Sequence, residues 1–411
     1  MEKRDVVVYS EDYKKLLNAK AYAGKYYEID ERVEEICKEA FKGCDKLEEI
    51  VMPKKLKKID SEAFQGCSSL TKLTLPDSVA RIDGLAFCGC SGLTELTLPN
   101  SVKSIGDGAF ADCSGLEKIT VESGNSRYDS RDNCNSIIET ETNTLIAGCK
   151  NSVIPNSVTS IGNSAFCGCS GLTELTLPDN IHFIEGEAFM GCSGLTELTL
   201  PNSVKSIGDG AFAYCSGLTK LTLPNILINI WESAFEGCSG LTELTLPNSV
   251  KSIGRYAFQG CTGLTELTLP NCVRVVEACA FAYCSGLTEL TLPNSVKSIG
   301  DRAFAYCSGL TELTLPNSIT SIGYSAFYGC SGLTELTLPN SITSIGDYAF
   351  AYCSDLSKIT SLAEIPPMCG FKVFNGVNKT NCELIVPEGS VAAYTRAEDW
   401  NKFSNIRGFS K

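Results

Sequence analysis

The chain has 411 residues, of which 43% are hydrophobic and 20% charged, and its formal net charge is −13 at pH 7. This composition is typical of a folded protein rather than a disordered one. The acidic balance, with no cluster of Lys and Arg, argues against nucleic acid as a partner. No apolar stretch approaches the ~20 residues that span a bilayer.

Residues 1–40 lie outside the repeat that follows and are predicted to form an N-terminal cap. The only apolar run between Met1 and Ala23 is Val6-Val7-Val8. This run is too short for the apolar core of a signal peptide. Either the chain carries no export signal, or the sequence is a mature or trimmed form.

Residues 41–353 contain a 23-residue unit, here called a coil, that repeats about fourteen times. Each coil is anchored by a cysteine in the same frame, at Cys44, Cys67, Cys90, Cys113, Cys169, Cys192, Cys215, Cys238, Cys261, Cys284, Cys307, Cys330 and Cys353. In the coil that starts at Cys90, the regularly spaced apolar residues are Leu93, Leu96, Leu98, Val102, Ile105, Ala109 and Phe110.

The spacing within a coil predicts two short extended segments. The Leu-x-x-Leu-x-Leu segment ends with the alternation of a strand that has one buried face, and Pro99 then ends that strand. Gly106, after the second segment, permits a tight turn. One coil buries about six large side chains, worth roughly 9–18 kcal/mol, whereas ordering its backbone costs about 25–35 kcal/mol. A coil therefore needs neighbours that cover it, and the stack needs caps.

One irregular coil of 33 residues lies within residues 114–155. Two apolar runs flank Glu141-Thr142-Asn143 and predict a small hairpin. We interpret the insertion as structural; a dedicated ligand loop is the alternative. Residues 354–411 are predicted to form a C-terminal cap, with a strand at Glu383–Pro387 and a helix from Ser390 to Phe403. Ser390 is a plausible N-cap, and the side chains predicted to face inward are Val391, Tyr394 and Trp400.

Between about Ile36 and Tyr352, the frame Cys-x-x-Leu-x-x-Leu-x-Leu-Pro-x-x-Val/Ile-x-x-Ile-Gly-x-x-Ala-Phe-x-x-Cys resembles the BspA-like family of bacterial leucine-rich-repeat proteins. The resemblance implies a right-handed leucine-rich-repeat solenoid. It would have about fourteen coils, a parallel β-strand ladder on its concave face, short turns and 3-10 segments, and a small C-terminal helix. It also implies a cell-surface or secreted bacterial protein.

The sequence predicts no catalytic, cofactor or metal site. The anchoring cysteines would lie ~4.8 Å apart with parallel side chains, which does not suit a disulfide, so we predict buried thiols that act as small core residues. Cys88-Gly89-Cys90 and Cys167-Gly168-Cys169 resemble halves of a zinc site but have no further ligands in the sequence. The only histidine, His182, is predicted to be exposed on the surface.

Three patterns are candidates for partner binding. The first is an acidic strip of glutamates, five residues after the cysteine in successive coils. It is either a solvated face copied by duplication or a surface for cations and basic ligands. Its members in five consecutive coils are Glu243, Glu266, Glu289, Glu312 and Glu335.

The second pattern recurs every 46 residues. In alternate coils Glu185, Trp231 and Glu277 replace the turn glycine. The same coils carry apolar residues at positions that are polar elsewhere. These residues either pack locally or form an exposed patch for a partner. The apolar candidates are Phe183, Ile226, Ile228, Trp231 and Val275.

The third pattern is a gathering of tyrosines beside the Phe-x-x-Cys turn in the C-terminal half: Tyr214, Tyr256, Tyr283, Tyr306, Tyr324, Tyr328, Tyr348 and Tyr352. Tyrosine is favoured in binding hot spots but also fills turn edges. The residues taken as partner-binding candidates are Tyr283, Tyr306, Tyr328 and Tyr352.

Together these observations predict a non-catalytic, monomeric solenoid that binds a protein or another macromolecule. The family resemblance favours adhesion to host or microbial macromolecules at the cell surface or after secretion. An intracellular bacterial scaffold is the alternative.

Overall fold

A computed structural model describes residues 7–410. The chain divides into two compact units, with the boundary between Val204 and Lys205. Each unit is a β-solenoid in which consecutive coils pair through short parallel strands, as the repeat predicts.

Within residues 7–204, the first unit contains seventeen strands and one 3-10 helix, Arg131–Asn133. The strands are β1 (Val8–Tyr9), β2 (Lys15–Asn18), β3 (Tyr26–Glu28), β4 (Glu35–Ile36), β5 (Glu49–Val51), β6 (Lys58–Ile59), β7 (Lys72–Leu73), β8 (Arg81–Ile82), β9 (Glu95–Leu98), β10 (Ser104–Ile105), β11 (Lys118–Val121), β12 (Tyr128–Asp129), β13 (Ile137–Glu139), β14 (Thr144–Ala147), β15 (Ser160–Ile161), β16 (Phe183–Ile184) and β17 (Glu197–Thr199).

Within residues 205–410, the second unit contains seventeen further strands, the helix α1 (Val391–Arg396) and the 3-10 helices Glu388–Ser390 and Trp400–Lys402. The strands are β18 (Ser206–Ile207), β19 (Lys220–Thr222), β20 (Asn229–Ile230), β21 (Glu243–Leu244), β22 (Ser252–Ile253), β23 (Glu266–Thr268), β24 (Val275–Val276), β25 (Glu289–Thr291), β26 (Ser298–Ile299), β27 (Glu312–Thr314), β28 (Ser321–Ile322), β29 (Glu335–Leu338), β30 (Ser344–Ile345), β31 (Lys358–Ser361), β32 (Met368–Cys369), β33 (Glu383–Pro387) and β34 (Asn405–Phe409).

Most coils contribute to two strand ladders, one from each extended segment, although the coil that starts at Cys169 forms a strand only in its second segment. The two-residue segments form the longer ladders: β2-β4-β6-β8-β10 in the first unit and β20-β22-β24-β26-β28-β30-β32 in the second. The strands of the Leu-x-x-Leu-x-Leu segments pair in shorter sets such as β23-β25 and β27-β29-β31-β33-β34. The second segment is short, but its strands form the ladders that join the larger number of consecutive coils.

Strands in both predicted caps continue these ladders. In the N-terminal segment, β1 pairs antiparallel with β2, and β2 pairs in parallel with β4. In the C-terminal segment, β33 pairs in parallel with both β31 and β34. Apart from the antiparallel pair β1–β2, the predicted caps therefore use the same parallel main-chain pairing as the coils beside them.

The apolar positions of the repeat form the core. In the coil that starts at Cys307, all seven predicted positions are buried: Leu310, Leu313, Leu315, Ile319, Ile322, Ala326 and Phe327. The phenylalanines of successive coils stack almost parallel. Phe281, for example, lies with its ring centroid 5.3 Å from that of Phe258 and 5.5 Å from that of Phe304. Each coil thus covers the ring of its neighbour.

The anchoring cysteines are buried in this core, as predicted. Most of these thiols also have a role that the sequence did not reveal, because they donate to the main-chain oxygen of the phenylalanine 26 residues earlier. Cys44 and Cys169 donate instead to Ala19 O and Gly148 O. Cys307 Sγ lies 3.3 Å from Phe281 O, and the same contact recurs in ten coils of the two units. Cysteine is thus small enough for the core and still offers a weak donor.

The irregular coil contains the predicted hairpin, in which β13 and β14 pair antiparallel and β12 pairs with β13. Its main chain does not continue the ladder from β10. Instead, the hydroxyl of Tyr128 accepts the Ile105 N–H at 3.1 Å. Gly148 leaves the space taken by the Phe166 ring, since a Cβ there would lie 2.1 Å from Cε1 of that ring. These contacts support a structural role for the insertion.

The C-terminal strand is confirmed, but the predicted helix is too long and its cap is wrong. The α-helix spans only Val391–Arg396, and the Ser390 side chain makes no capping hydrogen bond. Ala397 is extended, and the chain then turns so that Trp400 Nε1 donates to Pro367 O at 2.9 Å. Tyr394 and Trp400 are buried as predicted, whereas Val391 is only half-buried.

Candidate functional site

The five glutamates of the acidic strip are all exposed on their strands. The strand register places Glu266 beside Glu289, and Glu312 beside Glu335. In the part of the chain that the structure describes, only Glu335 of the five forms an ion pair, with Lys358 Nζ 3.0 Å from its Oε2. The strip is therefore a row of like charges that ends on a lysine.

This geometry predicts the effect of reversing one charge within the strip. Glu289→Lys is expected to raise the free energy of unfolding by roughly 0.2–1 kcal/mol, because a lysine beside the neighbouring glutamates replaces repulsion between like charges with attraction between opposite ones. Urea denaturation at low and high salt would measure the gain, which should shrink with salt. Glu289→Gln, which only removes repulsion, is the matched control and should give a smaller gain. A loss of stability in Glu289→Lys would contradict the arrangement.

The apolar candidates of the second unit are exposed on the outward side of one ladder. Ile226, Ile228 and Trp231 are 47%, 46% and 49% exposed, whereas Leu227 and Ile230 between them are buried. Their side chains therefore alternate between solvent and core.

The fourth apolar candidate of this unit, Val275, follows on the same ladder. The register runs from Asn229 through Ser252 to Val275, a step of ~9.6 Å at the usual strand spacing. Phe183 is also exposed, but it belongs to the first unit.

Two positions in every turn have left-handed backbone, at the first and fifth residues before the anchoring cysteine. Nine coils place glycine at the position directly before the cysteine or its equivalent, for example Gly329 with a φ of 70°. Tyr283, Tyr306 and Tyr352 occupy the same position with φ values of 62°, 61° and 60°. A bulky residue is rare in this conformation and is strained there.

The candidate tyrosines form a continuous row of rings. The Tyr283 and Tyr306 rings stack with centroids 4.7 Å apart. The Tyr328 ring centroid lies 5.3 Å from that of Tyr306, in an edge-to-face contact, and 5.1 Å from that of Tyr352, in a tilted contact. Tyr283, Tyr306 and Tyr352 are exposed, whereas Tyr328 is half-buried.

Three of these tyrosines line a cleft of about 580 Å³, here called the tyrosine cleft. Small residues such as Cys279, Ala282 and Ala305 line it together with Arg302. The left-handed turns of neighbouring coils thus leave a concave space between their larger side chains. The tyrosines that line it are Tyr256, Tyr283, Tyr306, Tyr324, Tyr328 and Tyr348.

Sequence reasoning missed Arg302 and Cys279 as cleft residues. Both stand five residues before an anchoring cysteine, at the second left-handed position, with φ values of 54° and 57°. Burial raises the pKa of the Cys279 thiol, and the positive charges of Arg302 and Arg255 oppose that rise. The sequence did contain a signal for these residues, because the residue type at the position five before the anchoring cysteine varies from coil to coil.

Sequence reasoning also missed an apolar stretch in the C-terminal segment. Ile365 and Met368 are the two most exposed large apolar side chains described, at 81% and 73%. Phe371 is exposed as well, and its ring lies 5.5 Å from that of Tyr348, beside the tyrosine cleft.

His182 is not fully exposed, contrary to the sequence prediction. Its ring is half-buried, and Nδ1 lies 3.3 Å from Ser203 O in the following coil. Among residues 7–410, no group of three or more His, Cys, Asp or Glu side chains is placed to hold a metal ion. Over the same residues, the helices are too short or too polar to cross a membrane.

The paired coils and the exposed side-chain rows define a leucine-rich-repeat solenoid. The chain belongs to the family described as BspA type leucine-rich repeat region, whose model matches residues 20–139, 143–265 and 251–379. The resemblance seen in the sequence is thereby confirmed.

Two solved structures illustrate the likeness. A leucine-rich repeat protein from Bacteroides ovatus is 30% identical, and the match covers 87% of this chain and 85% of that one with a TM-score of 0.51. A leucine-rich repeat protein from Eubacterium ventriosum is 20% identical, and the match covers 74% of this chain and 92% of that one with a TM-score of 0.58. Comparison with curated proteins gives no match.

Proposed function

We propose that this protein is a non-catalytic, monomeric solenoid that binds other proteins or macromolecules. The observation that carries the proposal is the exposure of Ile226, Ile228 and Trp231 at positions that other coils fill with polar residues or glycine. Large apolar groups held in solvent are typical of partner sites, and Trp is enriched in hot spots.

The acidic strip and the tyrosine row are further parts of the proposed binding surface. Four of the five glutamates have no ion-pair partner among the described residues, so they are available to a basic partner. The backbone strain at the tyrosines also supports a binding role, since strained residues tend to be kept at functional sites.

Membership of the BspA-type family supports action at the bacterial cell surface or after secretion, as an adhesion-type protein for host or microbial macromolecules. Binding of the full chain to immobilised extracellular-matrix proteins and mucosal glycoproteins would test this role. Saturable binding to a defined component is the expected result. Absence of binding across the panel would overturn adhesion.

The alternative location is intracellular, where the protein would act as a scaffold. It is favoured by the 22 cysteines, none of which is in a disulfide and of which Cys272 is exposed, because thiols persist best in a reducing compartment. Treatment of intact bacteria with protease distinguishes the two locations. A surface protein should be cleaved in intact cells, whereas an internal scaffold should be cleaved only after lysis.

Trp231→Ala is expected to weaken binding of an identified partner about tenfold or more while lowering the free energy of unfolding by less than ~1 kcal/mol. The indole is half exposed, so its loss removes partner contact rather than core packing. Titration calorimetry and urea denaturation measure the two effects.

Glu277→Ala is the matched control for Trp231→Ala, because Glu277 holds the same coil position two coils further on and is also exposed. It should leave both affinity and stability nearly unchanged. A large loss of stability in Trp231→Ala with unaltered affinity would make Trp231 a packing residue.

A further inference from the structure

The tyrosine cleft has the dimensions of a small-ligand site, and its aromatic lining distinguishes it from two other clefts of similar volume, which no aromatic side chain lines. Its volume of about 580 Å³ lies within the range of ~300–1,000 Å³ typical of such sites. It is built from the turns of neighbouring coils, so no single repeat contains it. A flat protein surface would fill it poorly, whereas a compact ligand or one protruding group would fit.

Recognition in the cleft must come from side chains, because the main-chain donors of its turns are already used. Arg302 N donates to Tyr324 O at 2.8 Å, and Tyr306 N donates to Tyr328 O at 2.6 Å. An extended peptide that binds by strand addition needs free main-chain groups, and these turns do not offer them. Phenol hydroxyls, aromatic rings and one guanidinium remain available to a ligand.

The cleft contains a positive charge that has no acidic partner. Among the described residues, Arg302 forms no ion pair, and its guanidinium carbon lies 5.3 Å from the Tyr324 ring. Arg255 is likewise unpaired and lies 5.6 Å from the Tyr256 ring. Five arginines elsewhere are each bound to a carboxylate. Arg274 and Arg396 also form no ion pair among the described residues, but of these unpaired arginines only Arg302 lines the tyrosine cleft. Its planar guanidinium suits a carboxylate.

Asp301, the residue before Arg302 in the chain, forms no ion pair with it among the described residues. Asp301 Oδ1 accepts the Tyr324 N–H at 2.8 Å, so that carboxylate is engaged by the main chain. The cleft thus combines aromatic rings, several hydroxyls and one cation, Arg302. The C–H groups of a sugar ring, which carry partial positive charge, suit the negative faces of aromatic rings. The hydroxyls of a sugar suit phenol partners.

We propose that the tyrosine cleft binds a carboxylated sugar, either a hexuronate or a sialate, at the end or within a glycan. The sugar ring lies against Tyr283 or Tyr306, and its carboxylate pairs with Arg302. This inference rests on the proposed binding function and names a ligand class for one part of the surface. It is independent of Trp231, so a protein partner could bind even where the sugar does not.

Calorimetric titration of the full chain with four probes tests the proposal. The probes are 3′-sialyllactose, a hyaluronate hexasaccharide, lactose and a hexaglutamate peptide. At least one carboxylated saccharide should bind about tenfold more tightly than lactose and hexaglutamate, and the two saccharides distinguish a sialate from a hexuronate. Equal binding of lactose, preferential binding of hexaglutamate, or no binding by either acidic saccharide would each overturn the proposal.

The double variant Tyr283→Gly/Tyr306→Gly locates the site without harming the fold, since other coils carry glycine at this left-handed position. It should weaken saccharide binding at least tenfold. Tyr214→Gly is the matched control, because Tyr214 has a φ of 60° at the same position but does not line the cleft. It should bind as the parent protein does.

Arg302→Gln separates charge recognition from ring contact. It should weaken binding of the acidic saccharide about tenfold and leave lactose unchanged. Undiminished affinity in both the tyrosine and the arginine variants would place the sugar elsewhere and overturn the assignment. Failure of sugar binding alone, with Trp231-dependent binding of a protein partner intact, would leave the proposed function standing.

Discussion

Phe281→Ala is expected to lower the free energy of unfolding of the second unit by about 3–5 kcal/mol, the range for removing a buried phenylalanine. The Phe281 ring is fully buried and is covered by the rings of Phe258 and Phe304. Its loss leaves a cavity that faces two neighbouring coils. Because each coil is stable only through its neighbours, the coils on the two sides of the cavity should no longer unfold in one cooperative transition.

Urea denaturation followed by circular dichroism, together with amide hydrogen exchange, would measure both effects. Phe371→Ala is the matched control, since Phe371 is exposed beside Tyr348 and should change stability by less than ~0.5 kcal/mol. If the two variants were equally stable, the stacked rings would not be the main support of the coils.

The repeat frame predicts most of the fold because the same few positions decide burial in every coil. The seven apolar offsets counted from Cys90 are the offsets buried in the coil that starts at Cys307. The turn after the first strand could also be predicted from the proline spacing. Pro316 follows the strand as predicted, and its main-chain oxygen accepts the Ile319 N–H at 3.1 Å.

Contacts between coils were harder to predict, because they depend on groups 22–26 residues apart whose orientations the sequence does not give. The thiol of Cys307 needs the carbonyl of Phe281, and nothing in the local sequence shows where that oxygen points. The helix from Ser390 was predicted too long for a similar reason, because burial of Trp400 beneath Pro367 outweighs local helix preference.

The candidate site was predicted in part. The tyrosine row and the exposed side chains of Ile226 and Trp231 follow from their offsets in the repeat. The cleft itself could not be predicted from these offsets. It depends on the turns of several coils lying side by side and on an arginine that has no acidic ion-pair partner among the described residues. A site distributed over repeats becomes visible only when the positions are compared down the stack rather than along one coil.

The buried thiols predict a steep loss of stability in alkali. Burial raises the pKa of the thiols in the second unit above their ordinary value of 9.0, to about 12 for Cys284 and Cys330, and well above it for Cys238, Cys261, Cys307 and Cys353. The unfolded chain releases these protons near pH 8.5–9, whereas the folded chain retains them. Their contribution is therefore complete below about pH 8.5 and is lost as pH rises towards 12.

Each such thiol lowers the free energy of unfolding by about 1.4 kcal/mol per pH unit in this window. Six together would remove about 8 kcal/mol per unit, comparable to the whole stability of ~5–15 kcal/mol of a typical domain. The melting temperature, measured under reductant and without oxygen, should thus be nearly constant from pH 7 to 8.5 and collapse between about pH 9.5 and 10.5. Replacing Cys238, Cys261, Cys307 and Cys330 with alanine should make this fall shallower. Equal slopes for the parent and the variant would show that other groups, such as lysines and tyrosines with ordinary pKa values near 10, cause the alkaline unfolding. The buried cysteines let the coils pack closely, and the protein therefore stays folded only while these thiols remain protonated.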